Sequence, residues 1–578
     1  MAEMALITQF PCANTEHVED GERSPCPKTA SLTCSACLLV QYCSKQCQVQ
    51  HWSLHKLDCK SSLMKATWKP QWETENRKPA FINGPGGGPS VKTHGVQKYL
   101  WGNMPALDVL RCKQNEGDEI LGDLGLLFAA SGDVRNVIST LAELPTTFNG
   151  NCSIMTNDRD FDIVARNVIL LLTALHFGRE DAVPTILHLW YSALITEETY
   201  RALRDNILPL IQEVCSKIRE KPLASLQAKT WKYGTRSVRL VLQKEQWDRL
   251  PSYLEVPSGL SAAQAHQIRI ATMLAPERRD YIDRAMFTRP PAMRVCTTRF
   301  REDGILLPFG SPRTNFNTPN PTFYQTKDSW PMKDSADPLD GWPVEQVILS
   351  APPAKKDIYG CLYLHIQAVL LRFLQRIEDL PVSFQLLCVD AMELPNMLKE
   401  CGVGRHSFDR IEVSNIADGG YLGPIKTLAT FSTLLKQPSQ NPHATLITLF
   451  LNAIDEVSTS ADRLANIIPE TNRLQRYLPL NMQPVSQKHN HLYGAEFLAF
   501  SDARIMMGDF DKLFQRYVDK WKMEDLGKML GMEMKGQNTV VDKWPLRLKE
   551  NATQEHFDLL RASAHQGLER YVEWRVAR

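Results

Sequence analysis

The sequence has almost no surplus of charge of either sign. It contains 66 lysine and arginine residues against 65 aspartate and glutamate residues, for a net charge of +1. This balance argues against a broad nucleic-acid or membrane-surface role, because such surfaces attract proteins with a positively charged face. We also find no basic stripe and no recognition helix, so direct binding to nucleic acid is not expected.

A secretory signal and long apolar segments are also missing. The first ten residues, MAEMALITQF, lack the basic start and the long apolar stretch of a signal peptide. The best candidate for a membrane span, Val168 to Phe177, is too short to cross a bilayer and follows Asp162 and Arg166. We therefore expect an intracellular protein of the cytoplasm or nucleus, without a membrane partner.

Cysteine is scarce except near the N-terminus. Seven of the 14 cysteines lie in the first 59 residues, which leaves seven for the rest of the chain. In a reducing compartment a tight cluster of cysteine and histidine indicates a metal site rather than disulfides. The other cysteines, for instance Cys215 and Cys388, are surrounded by apolar residues and are predicted to be small core side chains.

The segment CSACLLVQYCSKQCQVQHWSLHKLDC, residues 34–59, has the spacings of a zinc site. It offers a C-x2-C pair, a C-x3-C pair, and a histidine and cysteine four residues apart on one helical face. The pairs are Cys34 with Cys37, Cys43 with Cys47, and His55 with Cys59. Thiolate and imidazole ligands at such spacings suit tetrahedral Zn²⁺. A small region with little apolar core needs a bound metal ion or another cross-link to be stable.

The elements YCSKQCQ and HWSLHKLDC resemble the MYND zinc finger. That family binds two zinc ions in a crossed fashion, through alternate ligand pairs. The resemblance implies that one ion is held by Cys34, Cys37, His55 and Cys59. It also implies that Cys43 and Cys47 share the other ion with an upstream pair.

The upstream pair departs from the family pattern, which usually has C-x2-C there. This chain offers only Cys12 and Cys26, with thirteen residues between them. We assign both as ligands, with His17 as the rival to Cys12. His51 also falls in the helical register, but we interpret it as a non-ligand beside Trp52, because eight ligands are already supplied.

The resemblance also indicates what the finger does. MYND fingers mostly bind short proline-containing peptides of regulatory proteins and do no chemistry themselves. A zinc ion with four protein ligands has no open position for a water molecule, so catalysis at the metal is not expected.

Beyond the finger, short apolar runs alternate with amphipathic helices, which indicates an α/β fold. Buried strands are predicted at 124–130, 151–156, 382–389, 408–413 and 443–451, and helices after several of them. The Gly84–Pro89 run predicts a flexible turn. Trp68 and Trp72 are expected to pin this segment to a domain surface.

These patterns divide the chain into six parts. They are a zinc finger at 1–60, a glycine/proline-rich tether at 61–100, the first part of a large α/β domain at 101–180, a helical and irregular insertion at 181–380, the second part of the large domain at 381–500, and a helical region at 501–578. The tether predicts that the finger and the large domain are separable.

The segments LLFAASGDVRNVISTL and NDRDFDIVARNVILLL carry a second resemblance. They are similar to the uncharacterised domain that accompanies MYND fingers in fungal proteins and that begins a class of axonemal dynein assembly factors. This resemblance implies a class I methyltransferase-like fold, a doubly wound sheet with long helical insertions.

Such a fold places ligands beyond the carboxyl ends of its strands. Gly132 and Asp133 follow the first predicted strand and lead into a helix, and Asp158 follows the second, where an acid can hold ribose hydroxyls. These three residues are the candidates for binding S-adenosylmethionine, a possible cofactor. The alternatives are simpler: Asp133 as a helix N-cap, and Asp158 or Asp160 as caps of the helix from Phe161.

Two further features invite a binding role. Asn415 and Asp418 follow a later strand and are the best candidates for polar groups that face a substrate. Residues 294–343 have the polar and aromatic density of a binding loop, or else form a stiff surface excursion.

We therefore consider two functions. The first is a zinc-binding adaptor, whose finger recruits a partner protein to a methyltransferase-like scaffold. The second is an S-adenosylmethionine-dependent methyltransferase that acts on a recruited partner. Lysine methyltransferases with a MYND finger use a SET domain, and the NHxC-type core of that domain is absent from this sequence.

Overall fold

The structure, a computed structural model, describes residues 10–19, 22–82, 93–117, 122–350, 354–479 and 493–577. The turn predicted at Gly84–Pro89 lies outside these residues.

Two very short hairpins and one helix form the N-terminal region. They are β1 (His17–Glu19) with β2 (Glu22–Ser24), β3 (Leu32–Thr33) with β4 (Gln41–Tyr42), and α1 (Lys45–Cys59). The hydroxyl of Ser44 caps α1 by accepting a hydrogen bond from the N–H of Cys47. Strands of two or three residues bury little apolar surface, so this region needs cross-links to hold its shape.

The following segment is held against the large domain. It contains two short helices, α2 (Gln71–Thr74) and α3 (Cys112–Asn115). Trp72 is fully buried, and its indole N–H donates to the carbonyl of Tyr493 across 2.8 Å. The guanidinium of Arg294 lies 5.0 Å from the ring of Trp68. Both tryptophans therefore attach the segment to the large domain, as predicted.

Nine of the described strands form one large sheet, and two form a separate pair. They are β5 (Leu124–Phe128), β6 (Cys152–Asn157), β7 (Leu194–Thr196), β8 (Leu226–Tyr233), β9 (Arg236–Gln243), β10 (Phe316–Pro319), β11 (Val382–Leu387), β12 (Arg410–Glu412), β13 (Thr445–Phe450), β14 (Met532–Met534) and β15 (Arg570–Val576). The small pair is β7 with β10. The order in the large sheet is β14-β15-β13-β12-β5-β6-β11-β9-β8.

Six adjacent strands of this sheet are parallel, from β13 to β9. After β5 and β6 the chain forms β8 and β9 at the edge, and β11 then fills the place between β6 and β9. The chain later crosses to the other side of β5 with β12 and β13. The strand order thus reverses between β5 and β12. In open α/β sheets the crevice at such a reversal, outside the carboxyl ends of the strands, is the usual place for a ligand.

Helices cover the sheet on both faces. They are α4 (Arg135–Ala142), α5 (Phe161–His176), α6 (Arg179–Tyr191), α7 (Glu197–Asn206), α8 (Leu208–Lys217), α9 (Lys244–Arg249), α10 (Ala262–Met273), α11 (Arg279–Phe287), α12 (Pro291–Asp303), α13 (Val344–Leu349), α14 (Ile358–Asp379), α15 (Leu394–Glu400), α16 (Gly423–Phe431), α17 (Ala453–Val457), α18 (Ser460–Leu474), α19 (Ala495–Arg504), α20 (Asp511–Lys520), α21 (Met523–Met529) and α22 (Gln554–Ala562). Leu126 and Phe128 of β5 pack into the core with α4, α5 and α14, whereas Leu127 packs into a second core with α15, α16 and α20. This alternation follows from the two-residue period of a strand.

The five predicted strands are present, each within a few residues of its expected bounds. Every residue of β5 and β13 is buried. A parallel strand covered on both faces has apolar residues throughout, which is why these runs were visible in the sequence.

The hairpin of β8 and β9 was not predicted, because it lies in the part, 181–380, that the sequence predicts to be a helical and irregular insertion. Its strands alternate polar and apolar side chains, with Val238, Leu240 and Leu242 buried. Gly234, at a φ of +63°, takes the first position of the two-residue loop, where favoured hairpin turns need a positive φ. The hairpin extends the sheet at one edge.

Strand β15 was also missed, because charged residues interrupt its apolar pattern. It lies inside the sheet, antiparallel to both β13 and β14. Glu573 is fully buried there and is paired with Lys535 at 2.9 Å, and it also accepts hydrogen bonds from the N–H groups of Val540 and Val541. A charge with such partners is tolerated in the interior, although the sequence alone does not show the partners.

The expectation that no apolar run is long enough for a membrane span is wrong for one helix. The 22-residue helix α14 meets the length and composition of a span among the described residues. In the structure 72% of its apolar window is buried inside the protein, between α4, α6 and α13. Such burial against other helices is the environment of a helix in the protein core.

The segment 294–343 is not a surface excursion. It begins in α12, and Tyr324, Trp330 and Trp342 of its remaining part are buried. Asn320 is fully buried and its amide donates to the carbonyls of His188, Leu189 and Ser192. These hydrogen bonds let a segment rich in proline and asparagine cross the interior without unpaired backbone groups.

Candidate metal centre

The region before residue 60 brings eight donor side chains into two groups of four. Site 1 consists of Cys12, Cys26, Cys43 and Cys47, and site 2 of Cys34, Cys37, His55 and Cys59. Within each site the donor atoms all lie within 4.8 Å of one another. These are the eight residues that the sequence predicted as ligands, grouped as the crossed pattern of the resemblance implied.

The sulfur atoms of site 1 have the spacing of a zinc tetrahedron. The Sγ–Sγ distances are 3.7 Å for Cys26–Cys43, 3.5 Å for Cys43–Cys47 and 3.9 Å for Cys47–Cys26. With Zn–S bonds of about 2.3 Å, a tetrahedron places its sulfur atoms about 3.8 Å apart. Site 1 therefore fits one zinc ion.

Site 2 has the same fit with one nitrogen donor. The Nε2 atom of His55 lies 3.6 Å from Sγ of Cys37. The backbone N–H of Leu39 points at that sulfur from 3.4 Å, and Leu38 adopts the left-handed conformation (φ +55°) that closes the turn. N–H groups that face a sulfur stabilise a thiolate, which is the form that binds zinc.

Helix α1 connects the two sites. Cys47 in its first turn belongs to site 1, and His55 and Cys59 near its end belong to site 2. Residues four apart lie on one helical face, so His55 and Cys59 approach one ion together. Loss of metal binding at site 2 would therefore also destabilise the C-terminal end of α1.

The structure places Cys12, rather than His17, in site 1. The β1–β2 hairpin folds the long stretch between Cys12 and Cys26 back on itself, so the two thiols meet although thirteen residues separate them. The N–H of Cys26 donates to the carbonyl of Asn14 across 2.8 Å. The hairpin thus replaces the short C-x2-C turn of the usual pattern.

His51 is in neither site. Its Nδ1 atom lies 3.0 Å from the hydroxyl of Tyr42, a buried residue between the two sites. This agrees with the interpretation of His51 as a non-ligand.

Burial makes an empty site unfavourable for thiolates. It raises the pKa of Cys12 to about 12 and the pKa of Cys37 far above the ordinary value. At Cys47 burial acts in the same direction, but hydrogen bonds from Asn14 and Ser44 outweigh it and lower the pKa to about 6. A divalent cation would remove the cost of burying such charges, so the donor set suits a metal ion.

Asn14 is a supporting residue that sequence reasoning missed. It is fully buried, it hydrogen-bonds to the side chain of Gln50, and its side chain stabilises the Cys47 thiolate. Its position two residues after Cys12 was the only signal, since the contact with Cys47 forms across the fold.

The finger lies directly on the large domain. A Cβ on Gly360 would be 2.8 Å from the ring of Phe10, and one on Gly310 would be 2.6 Å from Cβ of Ala13. Only glycine allows these close approaches. Asp58 of α1 also forms an ion pair with Arg299 at 3.6 Å.

The predicted cofactor residues come together at the carboxyl ends of β5 and β6. The N–H of Gly132 donates to Oδ2 of Asp158, and Oδ1 of Asp158 accepts from the N–H of Asp160. Burial raises the pKa of Asp158. Asp160 caps α5, as the simpler interpretation of that residue proposed.

Asp133 is buried and its oxygens are engaged within the chain. It is paired with Arg135 at 2.6 Å, and it accepts hydrogen bonds from the N–H of Gly102 and the indole of Trp190. The cap residue of α4 is Val134, so Asp133 is not its N-cap in the strict sense.

Asp418 does not face a substrate. It is fully buried, and it accepts hydrogen bonds from the N–H groups of Leu451 and Asn452 after β13. Its role is to fix the loops after β12 and β13 relative to each other.

Comparison with known proteins gives two family matches, each to a part of the chain. The MYND finger family matches residues 24–59, and a Domain of unknown function (DUF4470) matches residues 100–195. No curated protein and no solved structure matches the chain. The chain thus carries a MYND zinc finger, as predicted, and its two Cys/His clusters fit two zinc ions.

The extents of the two matches add two points. The finger match begins at residue 24, so Cys12 lies upstream of it and joins site 1 only through the β1–β2 hairpin. The second match covers the segments that carried the second resemblance. Its description names no methyltransferase and no dynein assembly factor, so those implications stay predictions.

Proposed function

We propose that the chain is a zinc-binding protein-interaction adaptor, in which the MYND finger recruits a partner to the large domain. MYND fingers generally mediate protein–protein interaction. The observation that carries the proposal is the outer face of α1, where Val49 is 63% and Leu57 68% exposed. Large apolar side chains that are this exposed, on a rigid helix held by two metal sites, favour a docking role.

The proposed partner is a proline-containing peptide. Trp52 is partly exposed on the same helix, and the ammonium of Lys60 lies 5.6 Å from its ring. Proline-rich segments dock on aromatic side chains because their extended helix is already formed before binding. Trp52 and the neighbouring apolar side chains offer such a surface.

We propose that the large domain is a methyltransferase-like scaffold. Its support is the strand order, with a reversal beside β5 and an antiparallel strand, β15, inserted between β13 and β14 near one edge. The contacts of Phe10, Ala13 and Asp58 hold the finger on this scaffold. A recruited partner would therefore be presented in a fixed orientation.

The scaffold is favoured over the enzyme for a chemical reason. The carboxylates of Asp133 and Asp158, proposed as cofactor contacts, already accept hydrogen bonds from Gly102, Trp190, Gly132 and Asp160. Holding S-adenosylmethionine would require those contacts to be given up. We also propose a reducing compartment, the cytoplasm or nucleus, because all the described cysteines are free and seven of the eight donors are thiols that must stay reduced to bind zinc.

The test is selection of proline-containing peptides from a display library with the full-length protein. The best peptide is then titrated against Val49→Glu, Leu57→Glu and the control Met529→Glu, whose residue is 84% exposed on α21. We expect a loss of affinity of about tenfold or more in the two finger variants only. Equal affinity in all variants, or no peptide at all, would contradict the adaptor. A parallel titration with S-adenosylmethionine tests the enzyme, and saturable binding there would favour the second function.

A further inference from the structure

A cavity of about 300 Å³ lies in the large domain, away from the finger. Its walls are mainly apolar and include Leu107, Met293, Leu339, Trp342 and Leu546. A cleft of this size with mainly apolar walls is a usual form of a small-molecule site.

The cavity borders the crevice at which the strand order reverses. Leu107 is held by the side chain of Asn136 in α4, the helix that follows β5. Gly341, beside the wall residue Trp342, packs against Arg135 of the same helix. His565 lines the cavity five residues before Arg570, which pairs with Phe450 at the carboxyl end of β13. The cavity therefore lies at the edge of the sheet where α/β proteins bind ligands.

The charges at its inner wall do not balance. Arg289 is paired with Asp337 at 3.1 Å, and Asp337 also accepts a hydrogen bond from Tyr359. Asp340, on the cavity wall, has no ion-pair partner among the residues that the structure describes. When Asp340 is ionised, two carboxylates thus share one guanidinium beside an apolar space.

Lys333 attracts the carboxylate of Asp340 but forms no ion pair with it in the described part of the chain, and its ammonium lies 4.8 Å from the ring of Tyr99. Burial lowers the pKa of His565, so its ring is neutral near pH 7. The remaining charged side chains around the mouth are paired or exposed: Glu345 with His556, Asp542 with Arg111, Arg547 with Asp509, and Lys549 in solvent. Burial and the nearby Asp337 raise the pKa of Asp340 to about 8, against the attraction of Arg289 and Lys333 and a hydrogen bond from the backbone N–H of Ala564. This carboxyl therefore holds a proton near pH 7.

We propose that this cavity binds a small organic amine, with its protonated amino group on Asp340 and its apolar body against Trp342 and Leu339. When an ammonium group binds, Asp340 releases its proton, and the resulting carboxylate accepts a charge-assisted hydrogen bond from the ammonium. The face of Trp342 adds to the attraction of a cation. This site is independent of the finger and of the partner proposed for it.

The test compares two nearly isosteric probes, 2-phenylethylamine and 2-phenylethanol, by calorimetry on the full chain. We expect the amine to bind about tenfold or more tightly than the alcohol. Asp340→Asn is expected to remove this preference, whereas Asp542→Asn, at the mouth and paired with Arg111, should keep it.

The comparison of the two probes in the unmodified chain needs no variant, so a poorly folded Asp340→Asn would not prevent a decision. Equal affinity of amine and alcohol, or no saturable binding of either at millimolar concentration, would overturn the proposal. A loss of preference in Asp542→Asn equal to that in Asp340→Asn would also overturn it, because the mouth rather than Asp340 would then hold the amine.

Discussion

The backbone N–H of Gly132 donates a hydrogen bond to Oδ2 of Asp158, with 3.0 Å between nitrogen and oxygen. Gly132 follows β5 and Asp158 follows β6, and the parallel pairing of these strands brings the two loops side by side. The carboxylate that could have held a cofactor ribose thus joins two loops of the scaffold. Four predictions follow from this and other contacts.

The chain is expected to bind two zinc ions. Cys12→Ser should lower the ratio to about one, because site 1 loses one of its four donors while site 2 keeps all of its own. Metal analysis of the purified protein by mass spectrometry measures this ratio. The matched control is Cys215→Ser, outside both sites, which should keep both ions. A ratio of one in the unmodified protein would remove Cys12 and Cys26 from the ligands.

Phe10→Ala is expected to weaken the attachment of the finger to the large domain. Phe10 is buried against Gly360, so its loss leaves a cavity and should cost about 3 kcal/mol in the free energy of unfolding. Zinc content should not change. Val18→Ala, at a residue 49% exposed on β1, is the control and should have little effect. Chemical denaturation measures the free energy of unfolding of each variant. An unchanged value in Phe10→Ala would support a finger that is separable from the large domain, as the tether predicts.

Asp133→Ala is expected to act on stability. It leaves the guanidinium of Arg135 buried without a counter-charge, which costs about 3–5 kcal/mol. Glu143→Ala removes an exposed partner of Arg372 and should change little. Melting temperature and S-adenosylmethionine affinity are measured together. An unchanged melting temperature with lost cofactor binding would make Asp133 a cofactor contact instead.

Glu412 is expected to make stability fall as the pH rises. Burial raises its pKa from 4.5 to about 7, so the folded chain holds a proton that the unfolded chain releases between these values. This contribution is fully present below pH 4.5 and is lost as the pH passes 7, with a total on the order of 3 kcal/mol.

Glu412→Gln should remove that dependence, because glutamine cannot ionise. Denaturation curves at several pH values compare it with Glu400→Gln, at an exposed position at the end of α15. If the pH profile of Glu412→Gln matched that of the unmodified chain, the dependence would come from other groups.

Local spacing was enough to predict six of the eight metal donors of the finger. Cys34 with Cys37, and His55 with Cys59, are neighbours in the chain, and a turn or one helical turn brings each pair together. Strands such as β5 and β13 were also predictable, because a strand buried on both faces must be apolar throughout. These features depend on a few consecutive residues.

What only the tertiary structure decided depends on partners far apart in the chain. Cys12 reaches site 1 through a hairpin whose strands are three residues long. The carboxylates of Asp133 and Asp418 have the same sequence signature as ligand contacts, but Trp190 and Leu451 donate to them from other elements. β15 holds a buried Glu573 because Lys535 lies beside it. The residue type of a polar side chain does not show whether its hydrogen-bond partner is a ligand or another part of the protein. Only the packing of the chain determines that partner.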